Sequence, residues 1–252
     1  MKLSAIVINK DGGKKLTGCL ESLEFCDEVL LVDSGSTDDS LEIARKNQAR
    51  IIKVESRGFS YSRNVGARKA DGEWLLYLDA DERVTDKLRG EIYQRINPLT
   101  HQPIVSYKIY RKNIILGKWL KHGDWWPDPV HRLIKKEALV EWKGKLHEYP
   151  VVEGAVGLIQ EPIIHLSKDD ISDMVKNSKE FAPIEAGLML KAGHPPVRIY
   201  HFILAMFREF WKRGIVKMGW LDGIVGIIEV FYQMFHQFLV YSWLWQMQRK
   251  KI

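Results

Sequence analysis

Two cysteines in 252 residues, Cys19 and Cys26, are too few for a disulfide framework, and no Cys/His spacing suited to zinc accompanies them. That scarcity points to a reducing compartment. The apolar run after Met1 gives way within a few residues to Asn9, Lys10 and Asp11, which is too short for a signal peptide and reads as a buried first strand. No GxGxxG follows that run and no GxxxxGK[ST] occurs anywhere, so dinucleotide-binding and P-loop folds lose support. Zinc-finger, RRM and KH signatures are also missing, and nucleic acid is not expected as a partner despite a net charge of +6. The longest uncharged run, Val230 to Gln248, spans 19 residues but carries four glutamines and a histidine. A membrane-spanning helix needs ~20 predominantly apolar residues, so docking at an interface is expected rather than crossing.

What is present divides unevenly. A chain that is 46% hydrophobic can bury a full core, as one large domain or a domain with an appendage. From Pro196 onward there are eight Lys/Arg against three Asp/Glu, so +5 of the net +6 falls there and +1 on the first 195 residues. The same tail holds 13 of the 27 aromatic residues. A near-neutral domain with a basic, aromatic appendage follows, the aromatics lying at helical spacing among aliphatics. Residues 171–193, 197–213 and 220–248 read as helices, broken at His194-Pro195-Pro196. In the last, Leu221, Ile224, Val225, Ile228, Phe231, Phe235, Phe238, Leu239 and Trp245 recur at three- and four-residue steps, with Glu229, Gln233 and His236 off that face. Such a face suits anionic lipid, a second subunit in a homodimer, or the protein's own core.

The first hundred residues alternate. LSAIVIN (3–9), EVLLVDS (28–34), RIIKVES (50–56) and EWLLYLD (73–79) are apolar, strand-like runs. Between them lie KLTGCLESL, STDDSLEIARKNQA with Ser36 or Thr37 as its expected N-cap, and SYSRNVGARKA, all helix-like. This alternation predicts βαβ units around a parallel sheet.

In an open α/β sheet, ligands bind beyond the carboxyl ends of the strands. Asp33 ends the second run and Asp79 the fourth, so both are expected at one crevice. Asp79 and Asp81, two apart, fall on one side of an extended backbone and together suit a hard divalent cation, Mg²⁺ or Mn²⁺, that also holds a diphosphate. With 15 aspartates, chance alone yields roughly one Asp-x-Asp, so its place directly after a buried strand carries the reading.

VDSGSTDDS followed by SRNVGARKADGEWLLYLDADER resembles a family 2 inverting glycosyltransferase of GT-A fold: α/β, Rossmann-like, with a mostly parallel central sheet flanked by helices. Together with RLIKK, LHE and LDG further on, the pattern is most similar to bacterial glucosyltransferases of the lipopolysaccharide inner core. The resemblance is close over residues 1–90, looser over 120–170, and one of hydropathy beyond. It implies a catalytic domain over 1–168, with a nucleotide-sugar half (1–97) and an acceptor half (98–168), and a C-terminal helical region over 169–252. Asp33, Asn9 and Lys10 would meet the uridine of a nucleotide-diphospho-sugar such as UDP-glucose, and Arg63 would stand nearby. Asp79 and Asp81 match the family's Asp-x-Asp, with Asp81 the more direct metal ligand, and Arg132 would reach the diphosphate. The base is Glu148 or Asp128, the His147-Glu148 pair favouring the former and the two tryptophans near Asp128 suiting a sugar ring. His147 and His165 are further metal-ligand candidates, and His131 departs from the RLFR-like pattern expected before Leu133. The implied acceptor is a lipopolysaccharide core or other glycolipid, met from the cytoplasmic face of the inner membrane. Two other readings are a dehalogenase-like phosphotransferase, disfavoured because its motif follows the first strand, and a non-catalytic sugar-nucleotide or membrane scaffold.

Overall fold

The computed structural model describes residues 2–96, 104–146 and 148–250, so the expected 97/98 boundary and His147 lie outside the described residues. Two units divide the chain: Met1–Lys112 with Pro129–Leu166, and Asn113–Asp128 with Ser167–Ile252.

In the first unit the uncharged run becomes strand β1 (Leu3–Asn9), buried at every position. Helix α1 (Gly13–Glu21), β2 (Glu28–Asp33), α2 (Ser40–Lys46), β3 (Arg50–Lys53), α3 (Phe59–Lys69) and β4 (Trp74–Asp79) follow. The four strands are parallel in the order β3-β2-β1-β4, each reached through a helical crossover. Alternate residues of β1 serve opposite faces. Leu3, Ala5 and Val7 pack with Leu16, Leu31, Leu76 and Leu88, while Ile6 and Ile8 pack with Leu30, Val32, Ala67 and Tyr77. On that second face α3 lies close at Gly66, where a Cβ would stand 2.5 Å from Ile6 Cγ2.

Beyond β4 the expected parallel arrangement stops. Strand β5 (Glu82–Arg83), α4 (Asp86–Ile96), β6 (Ile104–Ile115), β7 (Lys118–Trp119), β8 (Pro129–Lys135), β9 (Leu139–Lys143), β10 (Tyr149–Val152) and β11 (Ala155–Lys168) complete the sequence of strands. The main sheet runs β3-β2-β1-β4-β8-β6-β11-β5, with β7 on β6. The pairs β4–β8, β8–β6 and β11–β5 are antiparallel, as is the separate pair β9–β10. Among the described residues no α-helix lies between β6 and β11, so the crossovers that parallel pairing requires are missing there and the sheet is mixed.

The second unit is built on α5 (Ile171–Lys191), α6 (Ile199–Glu209), a π-helical stretch Phe210–Val216, and α7 (Gly223–Arg249). Ala182, Ala186, Ala205, Val240, Tyr241 and Leu244 form its apolar core. Asp222, ahead of α7, accepts from the Lys121 and His122 backbone N–H groups at 2.9 and 2.7 Å and so holds the loop after β7. The helix Gly219–Arg249, with mean hydropathy 1.4, is long and apolar enough to cross a membrane by length and composition.

Candidate active site

The carboxyl ends of β2, β1 and β4 are in register, Asn9 opposite Asp33 and Ile8 opposite Asp79, so three polar side chains stand along one edge of the parallel half. Asn9 donates through Nδ2 to Asp33 Oδ1 (3.1 Å) and Ser36 Oγ (2.9 Å). Asp33, 1% exposed, also accepts from the backbone N–H groups of Gly35 (3.1 Å) and Ser36 (3.0 Å) and from the Ser36 hydroxyl. Burial pushes its pKa up, but the bonds from Ser36, Asn9 and Gly35 outweigh that and hold it below the usual carboxylate value. The side chain expected to meet a nucleotide thus folds the loop after β2. Ser36 and Thr37, expected to cap α2, are instead part of this loop: Ser36 Oγ receives the Asp11 N–H at 2.9 Å, and the Thr37 N–H donates to Asp11 Oδ1 at 2.7 Å. Helix α2 starts later, at Ser40, behind Asp39. Lys10 is exposed.

At the end of β4 a second group forms. Arg63 reaches from α3 to Asp79 Oδ1 through Nη2 (2.7 Å) and to Glu148 Oε1 through Nη1. Arg132, on the neighbouring strand β8, donates through Nη2 to Asp79 Oδ2 (2.5 Å) and Glu82 Oε1 (2.6 Å). Glu82 Oε2 accepts the Asp79 backbone N–H at 3.1 Å. The outcome is a row of alternating charge, Glu148–Arg63–Asp79–Arg132–Glu82, in which Glu82 and the two arginines are buried, Asp79 is 28% exposed and Glu148, at one end, 15%. Burial would raise the Asp79 pKa, but Arg132, Arg63 and Arg111 overcome it and keep the carboxyl ionised well below its usual range. Burial would lower the Arg132 pKa, and Asp79 and Glu82 raise it further than that. Trp142 of β9 packs edge-on against Tyr77 (5.0 Å) and under the Arg63 guanidinium (4.9 Å), which fixes that arginine from below.

The Asp-x-Asp pair differs from its expected geometry. The strand ends at Asp79, and Ala80 and Asp81 form a turn, so the two side chains are not successive residues on one side of an extended strand. Both Asp79 oxygens face arginines, whereas Asp81 Oδ2 lies 3.5 Å from His165 Nε2. The antiparallel pair β11–β5 brings His165 there by setting it opposite Glu82. Among the described residues no group of three or more His, Cys, Asp and Glu is arranged to hold a metal. Asp81 and His165 fit a divalent cation only as a partial set completed by substrate oxygens, which is how Mg²⁺ is commonly held.

The sequence-derived candidates Arg63, Asp79, Arg132 and Glu148 therefore meet in one group, Asn9 and Asp33 in another, and Asp81 meets His165. Asp128 falls in the second unit, where it accepts from Asn113 Nδ2 at 3.0 Å. There Trp125 lies beside the Lys168 ammonium and the Arg213 guanidinium (5.3 and 5.9 Å), and Trp126 packs on Trp119 (5.5 Å). Glu82, Trp142 and Asp11 have no role in the sequence reading, and Ser36 has one only as a helix cap. Glu82 alone had a signal, a third carboxylate four positions from Asp79 counted inclusively with only one partner foreseen.

Comparison with known proteins gives the family and the fold. The model of the family described as Glycosyl transferase family 2 matches residues 4–150. The sequence is 25% identical over 262 residues to the lipopolysaccharide core biosynthesis glycosyltransferase LpsC of Rhizobium meliloti, covering 98% of this chain and 93% of that protein. It is 34% identical over 116 residues to the cholesterol galactosyltransferase of Borreliella burgdorferi, covering 44% of this chain and 32% of that one. Among solved structures, S. aureus TarS 1-349 in complex with UDP-GlcNAc matches with a TM-score of 0.50 at 16% identity, covering 100% and 92% of the two chains. Glucosyl-3-phosphoglycerate synthase from Mycobacterium tuberculosis, in complex with Mn²⁺, UDP and phosphoglyceric acid, matches with a TM-score of 0.51 at 16% identity over 77% and 79%. At that identity the two structures speak to the fold, which is GT-A-like.

Proposed function

The chain belongs to glycosyl transferase family 2, and from that premise we propose that it moves a hexose, glucose from UDP-glucose, onto a lipopolysaccharide core or other glycolipid acceptor, with inversion at the anomeric carbon. The observation that carries this reading is the charge row at the end of β4, which ends in Glu148, a partly exposed carboxylate held by the buried Arg63. The likeness to LpsC across nearly the whole chain supports the acceptor class. The UDP-GlcNAc and UDP held by the two solved relatives support a uridine donor.

In this mechanism the loop organised by Asp33 and Asn9 receives the nucleoside, and Glu148 takes the proton of the acceptor hydroxyl. That oxygen forms its bond to the anomeric carbon as the bond to the diphosphate breaks on the opposite face, and the nucleoside diphosphate departs. Arg63 orients Glu148, and Asp79 spaces the two arginines. Asp81, with His165 beside it, would hold Mg²⁺ or Mn²⁺, which when bound neutralises charge on the leaving diphosphate. The enzyme works as a peripheral protein at the cytoplasmic face of the inner membrane, where such an acceptor is presented.

Glu148→Gln keeps shape and removes basicity, so turnover should fall by at least ~10²-fold while donor affinity is nearly unchanged. Near wild-type turnover in Glu148→Gln with an inactive Asp128→Asn would transfer the base to Asp128. In a thermal-shift assay, UDP should stabilise the wild type more with Mn²⁺ than with EDTA, and Asp81→Ala should erase the difference.

A further inference from the structure

Helix α7 turns Val240, Tyr241 and Leu244 into the core of the second unit, and several polar residues with them. Glu229 is 2% exposed, faces the Lys168 ammonium at 3.5 Å and accepts from Gln233 Nε2 at 2.7 Å. His236 bonds Ser178 (3.0 Å) and Glu185 (3.2 Å) of α5, and Ser178 donates to the Tyr232 hydroxyl at 2.9 Å. The outward side carries Ile224, Ile227, Phe231, Phe235, Phe238 and Trp245, with Ile224 78% exposed. Water-facing helices place these two kinds of residue the other way round.

Helix α6 and the π-helical stretch continue the pattern. Ile199, Ile203, Phe207, Trp211 and Ile215 recur every four residues and are all exposed, Ile199 at 76%. On a 3.6-residue helix each four-residue step overshoots a full turn by about 40°, so such a row would wind around the surface. The wider turns of Phe210–Val216 hold more residues each, so the same step falls short there and the row swings back toward one side. Phe207 and Trp211 stack at 6.1 Å on that side.

Charge decides what covers these faces. Of the three acids between Pro196 and Lys250, Asp222 and Glu229 are buried, and Glu209 is largely covered and bonded to Arg213. The bases Arg198, Arg208, Lys212, Lys217, Arg249 and Lys250 are exposed. Asp124 pairs with Lys212 (2.5 Å) and Lys217 (3.5 Å), one negative charge between two positive ones. We infer that α6, the π-helical stretch and the outward side of α7 form a surface that lies in the headgroup region of an anionic phospholipid bilayer, its aromatic and aliphatic residues among the acyl chains and its bases on the phosphates. A second copy of this chain would bring an equally basic surface against this one.

This deepens the proposed peripheral attachment and rests on it for the choice of a bilayer, while its test reads partition and not transfer. The full-length protein is sedimented with vesicles of phosphatidylcholine, with and without phosphatidylglycerol. Partition onto the anionic vesicles alone, reduced by salt, is expected. Replacing Arg208, Lys212 and Lys217 together with Gln should weaken it roughly a hundredfold. Phe207→Asp with Trp211→Asp should weaken it at least about tenfold, with the far-ultraviolet circular dichroism of each variant unchanged. Equal partition onto neutral vesicles, release by detergent only, or absence of binding in a protein that light scattering finds dimeric would each overturn the inference. Vesicle binding by a protein without transferase activity would leave the surface standing and remove the proposed reaction.

Discussion

Glu82 has no exposed surface, and its charge is answered by the Arg132 guanidinium and the Asp79 backbone N–H. A buried carboxylate stripped of its cation keeps its desolvation penalty, so Arg132→Leu should cost about 3–5 kcal/mol of stability in urea unfolding. Arg132→Leu combined with Glu82→Leu removes both charges and should cost clearly less than the sum of the single changes; additive losses would mean that the row is not an energetic unit. The members of this row were only partly legible in sequence. Asp79, Arg63, Arg132 and Glu148 stood in motifs whose chemistry could be guessed, whereas Glu82 stood in the same motif without a task. The alternation that orders side chains along β4 is lost at the Ala80–Asp81 turn, and with it any way of reading from spacing which carboxylate turns inward. The same turn explains why Asp79 and Asp81 have different partners.

At the level of elements, the seat of α3 on the sheet sets where Arg63 stands. Alanine is favoured over glycine inside a helix by up to about 1 kcal/mol, but at Gly66 a Cβ would meet Ile6 Cγ2 at 2.5 Å and Val32 Cγ2 at 3.2 Å. Crowding wins there: Gly66→Ala should destabilise by about 1–3 kcal/mol and lower kcat/KM by moving Arg63. Gly90 in α4 is exposed with nothing within 4 Å, so Gly90→Ala should stabilise by up to about 1 kcal/mol. Thermal unfolding of the two variants should shift in opposite directions. The first four strands were legible because each is a short apolar run between polar segments. Strands β6 and β11 are long and only partly buried, with charged residues along them, so their pattern lies closer to that of loops. The helices after 170 were visible from three- and four-residue spacing. Spacing tells which residues share a side and not which side faces inward, and in α7 the inward side carries Glu229 and His236 along with Val240, Tyr241 and Leu244.

Over the whole molecule, several carboxylates share a stabilising bias. Burial works against Glu28, Asp33, Asp79 and Glu91, yet hydrogen bonds or arginines hold the pKa of each below its ordinary value. Each contributes stability that is complete above its unfolded pKa near 4 and is lost as pH falls through the lower folded value. His131 adds to this from higher pH: burial and then Lys108 bring it from 6.5 to about 4, so between those values the unfolded chain binds the proton and the folded one does not. The melting temperature should therefore fall gently from about pH 6.5 downward and steeply below about pH 4, and His131→Asn should flatten only the upper part. A profile level from pH 7 to pH 4 in the wild type would contradict the half-buried, neutral state of His131. The mixed sheet has one more consequence, and it concerns the ribosome. Asp79 and Glu82 leave the exit tunnel about 50 residues ahead of Arg132, an interval of roughly 3–10 s at ordinary elongation rates. During that interval β4 has β1 on one side and, on the other, the edge that β8 will later take. Open apolar edges invite pairing with other nascent chains. The carboxylates at the end of β4, Glu82 hydrated until Arg132 arrives, place negative charge beside that edge while it is bare.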